Sequence, residues 1–96
     1  MKIRWSPTAV SDLESIREYI ARDNPTAARK VAARIKESIQ RLFSFPLSGR
    51  AGRVPGTREL VIPGTSYIAA YTVQDDEVLI ASVLHGKQRW PESFWR

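Results

Sequence analysis

The sequence predicts an α+β fold of order β-α-α-β-β-β, a helical hairpin packed on a small, mainly antiparallel sheet. Three observations carry this. Two apolar-periodic segments each open on a capping residue followed by proline, Ser6-Pro7 and Asn24-Pro25. Residues 58–86 form three apolar, β-branched and aromatic runs separated by turn sequences. A short run, Lys2–Trp5, precedes the first helix and places Ile3 and Trp5 on one face.

In the first helix, Ala9, Leu13, Ile16 and Ile20 recur at helical spacing as a narrow apolar stripe. Glu14, Glu18 and Arg22 lie opposite, with Glu18 and Arg22 at a favourable i,i+4 spacing. The Asp23-Asn24-Pro25 triplet ends that helix and caps the next. Ala28, Val31, Ala32, Ile35, Ile39 and Leu42 then hold a stripe to about Ser44, a helix of roughly 30 Å at about 1.5 Å per residue. The short connection dictates an antiparallel hairpin. Lys30, Arg34 and Arg41 form its far, wet side.

Phe45-Pro46 stops the second helix, and Pro46, Gly49, Gly52, Pro55 and Gly56 mark residues 46–57 as a loop. Pro63-Gly64 and Gln74-Asp75-Asp76-Glu77 are the turns between the last three strands. Strict alternation puts Tyr67, Ala69, Tyr71 and Val73 on one face, with Ile68, Ala70 and Thr72 on the other. In the last strand it sets Leu79, Ala81, Val83 and His85 against Val78, Ile80, Ser82 and Leu84. Both faces are then largely apolar, and a helical hairpin covers only one. The expected cover for the other is the C-terminal tail, a second copy or a different protein, with Ile68, Ala70, Ala81 and Val83 as the candidate partner-binding residues.

Residues 1–96 read as one domain, which at this size buries only about 60–65% of its unfolded surface. With no Cys and a single His, disulfides and thiol chemistry are excluded and no metal or other cofactor is expected. No apolar run approaches the roughly 20 residues of a membrane span, and the N-terminus lacks a signal-peptide apolar region, so the expectation is a cytoplasmic protein without membrane contact. A net charge of +5 favours nucleic acid or an acidic protein as partner. Solubility alone is the plainer explanation of such a charge. Residues 1–44 hold nine Lys/Arg against five Asp/Glu, and residues 47–58 carry Arg50, Arg53 and Arg58 with no acid.

The order of elements, together with Ser6-Pro7-x-Ala9, Asp12-Leu13, Phe45-Pro46-x-x-Gly49-Arg50, Arg58-Glu59-Leu60, Tyr67 with Tyr71, and Val83-Leu84-His85-Gly86, resembles the RelE/ParE family of bacterial type II toxin–antitoxin toxins. The resemblance spans nearly the whole chain. It implies a growth-arresting, plasmid-stabilising type of toxin neutralised by a cognate antitoxin, with a heterotetramer or larger toxin–antitoxin assembly among the expected states.

The family has two chemistries: ParE-like poisoning of DNA gyrase without nuclease activity, and ribosome-dependent cleavage of messenger RNA. RNA cleavage needs the 2′-hydroxyl deprotonated, phosphate charge neutralised and the leaving oxygen protonated. In ribonucleolytic members the resemblance assigns this to basic residues on the second and third strands and after the fourth, plus a C-terminal Tyr. Here the matching positions hold Glu59, Val61, Ile68, Gln88 and Phe94, with Gly86-Lys87 alone in agreement. The gyrase-directed branch is therefore the expectation. The alternative is an mRNA interferase (an endoribonuclease) using Arg58, His85, Lys87 and Arg89, and a third reading is a nucleic-acid-binding remnant without toxicity. Candidate target or nucleic-acid contacts are Arg50, Arg53, Arg58, Lys87, Arg89 and Trp90. His85 has a neutral-range side chain suited to a general base, but equally suits the end of a strand as a structural residue. The tail aromatics Trp90, Phe94 and Trp95 suit docking on the sheet or on a partner.

Overall fold

A computed structural model describes residues 1–87. Strand β1 (Lys2–Trp5) leads into helix α1 (Pro7–Ala21). The Ser6 hydroxyl accepts the Ala9 N–H at 3.0 Å and donates to the Ala81 carbonyl at 2.8 Å, so one side chain caps the helix and ties it to the last strand. The Asn24 side chain caps α2 (Pro25–Gln40) through the Ala27 N–H at 3.1 Å. One turn of 3₁₀-helix, Arg41–Phe43, extends α2. The helical path thus stops one residue short of Ser44.

Strands β2 (Arg50–Ala51), β3 (Arg58–Val61), β4 (Tyr67–Gln74) and β5 (Glu77–His85) complete a five-stranded sheet in the order β1-β5-β4-β3-β2. Pairing is antiparallel except for β1, which lies parallel to β5 with Lys2 opposite Glu77 and Trp5 opposite Ile80. The expected β-α-α-β-β-β order holds, with β2 added inside the segment read as a plain loop. Two residues flanked by Gly49 and Gly52 give no periodic signal; only pairing with Arg58 and Glu59 makes them a strand.

The turns follow the sequence. Gly64 takes φ +74° beside Pro63, and the Thr65 N–H closes the turn on the Ile62 carbonyl at 3.2 Å. Asp75 and Asp76 both have positive φ, the geometry that matches a two-residue hairpin loop to the sheet's twist.

The strict alternation expected of the last strand is corrected by a β-bulge. Ala70 faces Ser82 while Tyr71 faces Ile80, leaving Ala81 as the extra residue. Ile80 and Val78 therefore join the rows of Tyr71 and Val73, and Val83 stays with Ala69. The helix-facing core consists of Ala9, Ile35, Ile39, Leu42, Ile62, Ala69, Tyr71, Val78, Ile80 and Val83. Each large aliphatic side chain buried there contributes roughly 1.5–3 kcal/mol.

Past Ile80, β1 no longer pairs with β5, and α1 takes over that edge. The Asp12 carboxylate accepts the Val83 N–H at 2.9 Å and the Ser82 hydroxyl. A side chain thereby replaces a strand in satisfying the exposed backbone of β5.

Candidate functional site

Segment 46–57 joins the helical layer to the sheet and carries two of the candidate arginines, Arg50 and Arg53, with the third, Arg58, opening β3 just after it. It is held by three residues of the central strands. The Tyr71 hydroxyl accepts the Gly49 N–H at 2.9 Å and donates to the Pro46 carbonyl at 2.8 Å. Arg58 Nη1 donates to the carbonyls of Leu47 and Gly49 at 3.2 and 2.9 Å. Glu59 is only 2% exposed; its carboxylate accepts Arg50 Nη2 at 3.1 Å and the Arg53 N–H at 2.8 Å, with Arg53 Nε at 3.6 Å. Arg53 Nη2 reaches on to the Gly86 carbonyl at 3.2 Å. The acid-free run of arginines in the sequence thus finds its acid one residue beyond its end, on β3.

At the end of the sheet, the β3–β4 turn meets the end of β5, where the Gly86 N–H binds the Ser66 carbonyl at 2.7 Å. A cleft of about 300 Å³ opens there, lined by Arg50, Val61, Thr65, Ser66, Tyr67, Ile68, His85, Gly86 and Lys87. The Tyr67 and His85 rings meet edge to face with centroids 5.7 Å apart. His85 Nδ1 accepts the Lys87 N–H at 3.2 Å. Burial, and secondarily Tyr19, push the Tyr67 hydroxyl above its ordinary pKa, so it remains a neutral donor at physiological pH.

Of the ribonuclease candidates, His85 and Lys87 meet at this cleft. Arg58 does not line it: its row is that of Tyr71, four residues along β4 from the Tyr67–His85 row, or about 13 Å at 3.3 Å per residue. Arg89 and Trp90 lie outside the described residues, as do Gln88, Phe94 and Trp95. Arg50 lines the cleft, while Arg53 joins Glu59 to Gly86. The open apolar face expected at Ile68, Ala70, Ala81 and Val83 is corrected: none of the four is more than 7% exposed. Val83 belongs to the helix-facing core, and residues 50–53 fold toward the Ala70 row through Glu59. Among the described residues, the large exposed apolar side chains are instead Val10, Tyr19, Phe43, Phe45, Leu47 and Val61.

Sequence reasoning missed Glu59 as an organiser of the site. Its signal was an acid in an apolar strand beside three arginines. Among the described residues no cluster of His, Asp or Glu could hold a metal ion, and no helix is long and apolar enough to cross a membrane.

The Y4kP protein of Sinorhizobium fredii is 43% identical over 91 residues, covering 95% of this chain and 94% of its own. Toxin RelE2 of Caulobacter vibrioides is 32% identical over 84 residues, covering 88% and 93%. A solved chain from the chromosomal ParDE toxin–antitoxin system of P. aeruginosa superposes with a TM-score of 0.80 at 27% identity, covering 88% of this chain and 95% of that one. Residues 3–90 match the family described as the ParE toxin of the type II toxin–antitoxin system, parDE. With nearly the whole chain matched in sequence and in fold, the chain belongs to the ParE toxin family of type II toxin–antitoxin systems.

Proposed function

We propose that this protein arrests growth by binding and poisoning DNA gyrase, without cutting RNA, and that a cognate antitoxin neutralises it. The observation that carries the non-nucleolytic reading is Glu59. Where the resemblance places a basic residue in ribonucleolytic toxins, this chain buries a carboxylate and spends it on Arg50 and Arg53. A buried anion there opposes the phosphate neutralisation that RNA cleavage needs. Arg58 is turned to the loop carbonyls of Leu47 and Gly49, on a row about 13 Å along the sheet from that of His85, so its guanidinium is engaged away from the cleft that holds His85. Exposed Phe43, Phe45 and Leu47 supply apolar surface suited to a protein partner.

The runner-up, an mRNA interferase, keeps one observation in its favour: His85 and Lys87 share a cleft. Induction in cells separates the two. The gyrase reading expects a DNA damage response with messages intact. Rapid loss of translation with cleaved messages and no DNA damage response overturns it.

A further inference from the structure

The outer face of α2 carries most of the chain's net charge. Residues 25–41 hold Arg29, Lys30, Arg34, Lys36 and Arg41 against one acid, Glu37, a net of +4 within a chain of +5. All five cations are exposed, while Ala28, Ala32, Ile35 and Ile39 turn the opposite side of the helix into the core. At about 100° per residue, Lys30, Arg34 and Arg41 form one row and Arg29 and Lys36 a second. Thr26, Ala33, Glu37 and Gln40 occupy the strip between them.

No carboxylate neutralises these rows. Among the described residues, the salt bridges join Arg4 to Glu77, Arg17 to Glu14, and Arg50 and Arg53 to Glu59. Arg29 and Arg34 each reach a neutral oxygen, the Thr26 hydroxyl at 3.4 Å and the Pro63 carbonyl at 3.3 Å, which leaves their charge in place. A face built for solubility alone mixes both signs and pairs them along the helix. Here the acids are matched to arginines elsewhere in the fold, and α2 keeps its cations uncompensated.

We propose that the outer face of α2 binds the phosphate backbone of duplex DNA, with one row of cations toward each strand bordering a groove. A helix with its side chains is about 10–12 Å across and the major groove of B-DNA about 12 Å wide, so the two rows reach its two rims. Along the helix, Lys30 and Arg34 stand about 6 Å apart and Arg34 and Arg41 about 10 Å, a rigid ladder facing a regular array of phosphates. The face carries no aromatic side chain, whereas single strands are gripped by stacking. Duplex RNA closes its major groove to a deep, narrow slot that a helix does not enter. The proposal goes beyond the gyrase reading and does not depend on it.

The test is fluorescence anisotropy on the full chain with three labelled probes: a DNA duplex of about 20 base pairs, the matching RNA duplex and oligothymidylate. The wild type is expected to bind the DNA duplex best, with log affinity falling against log salt at a slope of about −4. Lys30→Gln with Arg41→Gln depletes one row, and Arg29→Gln with Lys36→Gln removes the other. Glutamine is a good helix former, so α2 persists in both, and an unchanged urea midpoint verifies it. Each pair is expected to weaken duplex binding about tenfold or more in about 0.1 M salt and to reduce the slope by about 2. Lys2 and Arg17 are exposed and lie off this face, so Lys2→Gln with Arg17→Gln lowers the net charge equally and is expected to cost less than about threefold. Equal losses in all three pairs reduce the effect to overall charge and overturn the proposal. No duplex binding by the wild type, or undiminished binding by either α2 pair, overturns it too. Preference for RNA or oligothymidylate overturns it in favour of another nucleic acid.

Discussion

The hydroxyl of Tyr71, on the central strand, receives the backbone N–H of Gly49, twenty-two residues earlier in the chain, at 2.9 Å. The same oxygen donates to Pro46, so one buried phenol fixes both the stop of the helical layer and the start of β2. Gly49 is required for the approach: a Cβ there would overlap the Tyr71 ring and hydroxyl.

Tyr71→Phe leaves the ring in the core and removes both bonds. The expected loss is about 1–3 kcal/mol, because a buried N–H and a carbonyl lose their partner. Urea unfolding reads this directly. A midpoint within error of wild type would mean that the loop repairs both bonds, and that Tyr71 acts through its ring alone.

Burial pushes the Tyr71 hydroxyl above 10.0, outweighing the opposing pull of Gly49 and Arg58. A folded pKa above the unfolded one favours the protonated group in the native state. The contribution is complete below the unfolded value and is lost as pH rises through the folded one. Stability should therefore fall above about pH 10, and less steeply in Tyr71→Phe than in the wild type. Tyr67 shifts in the same direction, so the single variant should flatten the fall without abolishing it. Parallel wild-type and variant curves from neutral to alkaline pH would contradict the assignment.

Asp12 is the second joint. Asp12→Ala strips the Val83 N–H and the Ser82 hydroxyl of their acceptor at the edge of β5. A cost of about 1–3 kcal/mol is expected. Hydrogen exchange should locate it, with Val83 losing more protection than Val78, which lies where β1 still pairs.

His85→Gln tests mechanism. Glutamine retains an acceptor for the Lys87 N–H but cannot act as a base near neutrality. Growth arrest should persist within about tenfold, since removing a true general base costs roughly 10²–10⁴ in rate. A collapse of toxicity, with folding and antitoxin capture intact, would transfer support to RNA cleavage.

The local chemistry of the chain was readable in advance. The caps of Ser6 and Asn24, the Pro63-Gly64 turn and the paired aspartates each act within a few residues of themselves, so sequence carries that signal, though not the second bond of Ser6 to Ala81. What escaped depends on distant partners. The two residues of β2 are a strand only against β3, and the bulge at Ala81 arises from matching β5 to β4. Alternation alone therefore set Val78 and Ile80 on the face opposite Val83. The site was legible as a list but not as an assembly. His85 and Lys87 do meet in one cleft, whereas Arg58 turns out to secure a loop, and the burial of Glu59 required knowing that residues 50–53 fold back over β3.

The parallel pairing of Lys2 with Glu77 also has a temporal side. On the ribosome, Lys2 emerges 75 residues ahead of the strand that receives it, and synthesis adds only about 5–20 residues per second. For several seconds the helical hairpin can form, but the sheet cannot close and its end cleft does not exist. Long-range pairing of this kind also slows the final collapse. The sheet, and with it the cleft at its end, is therefore the last part of the fold to be completed, formed only when the final strand has left the ribosome.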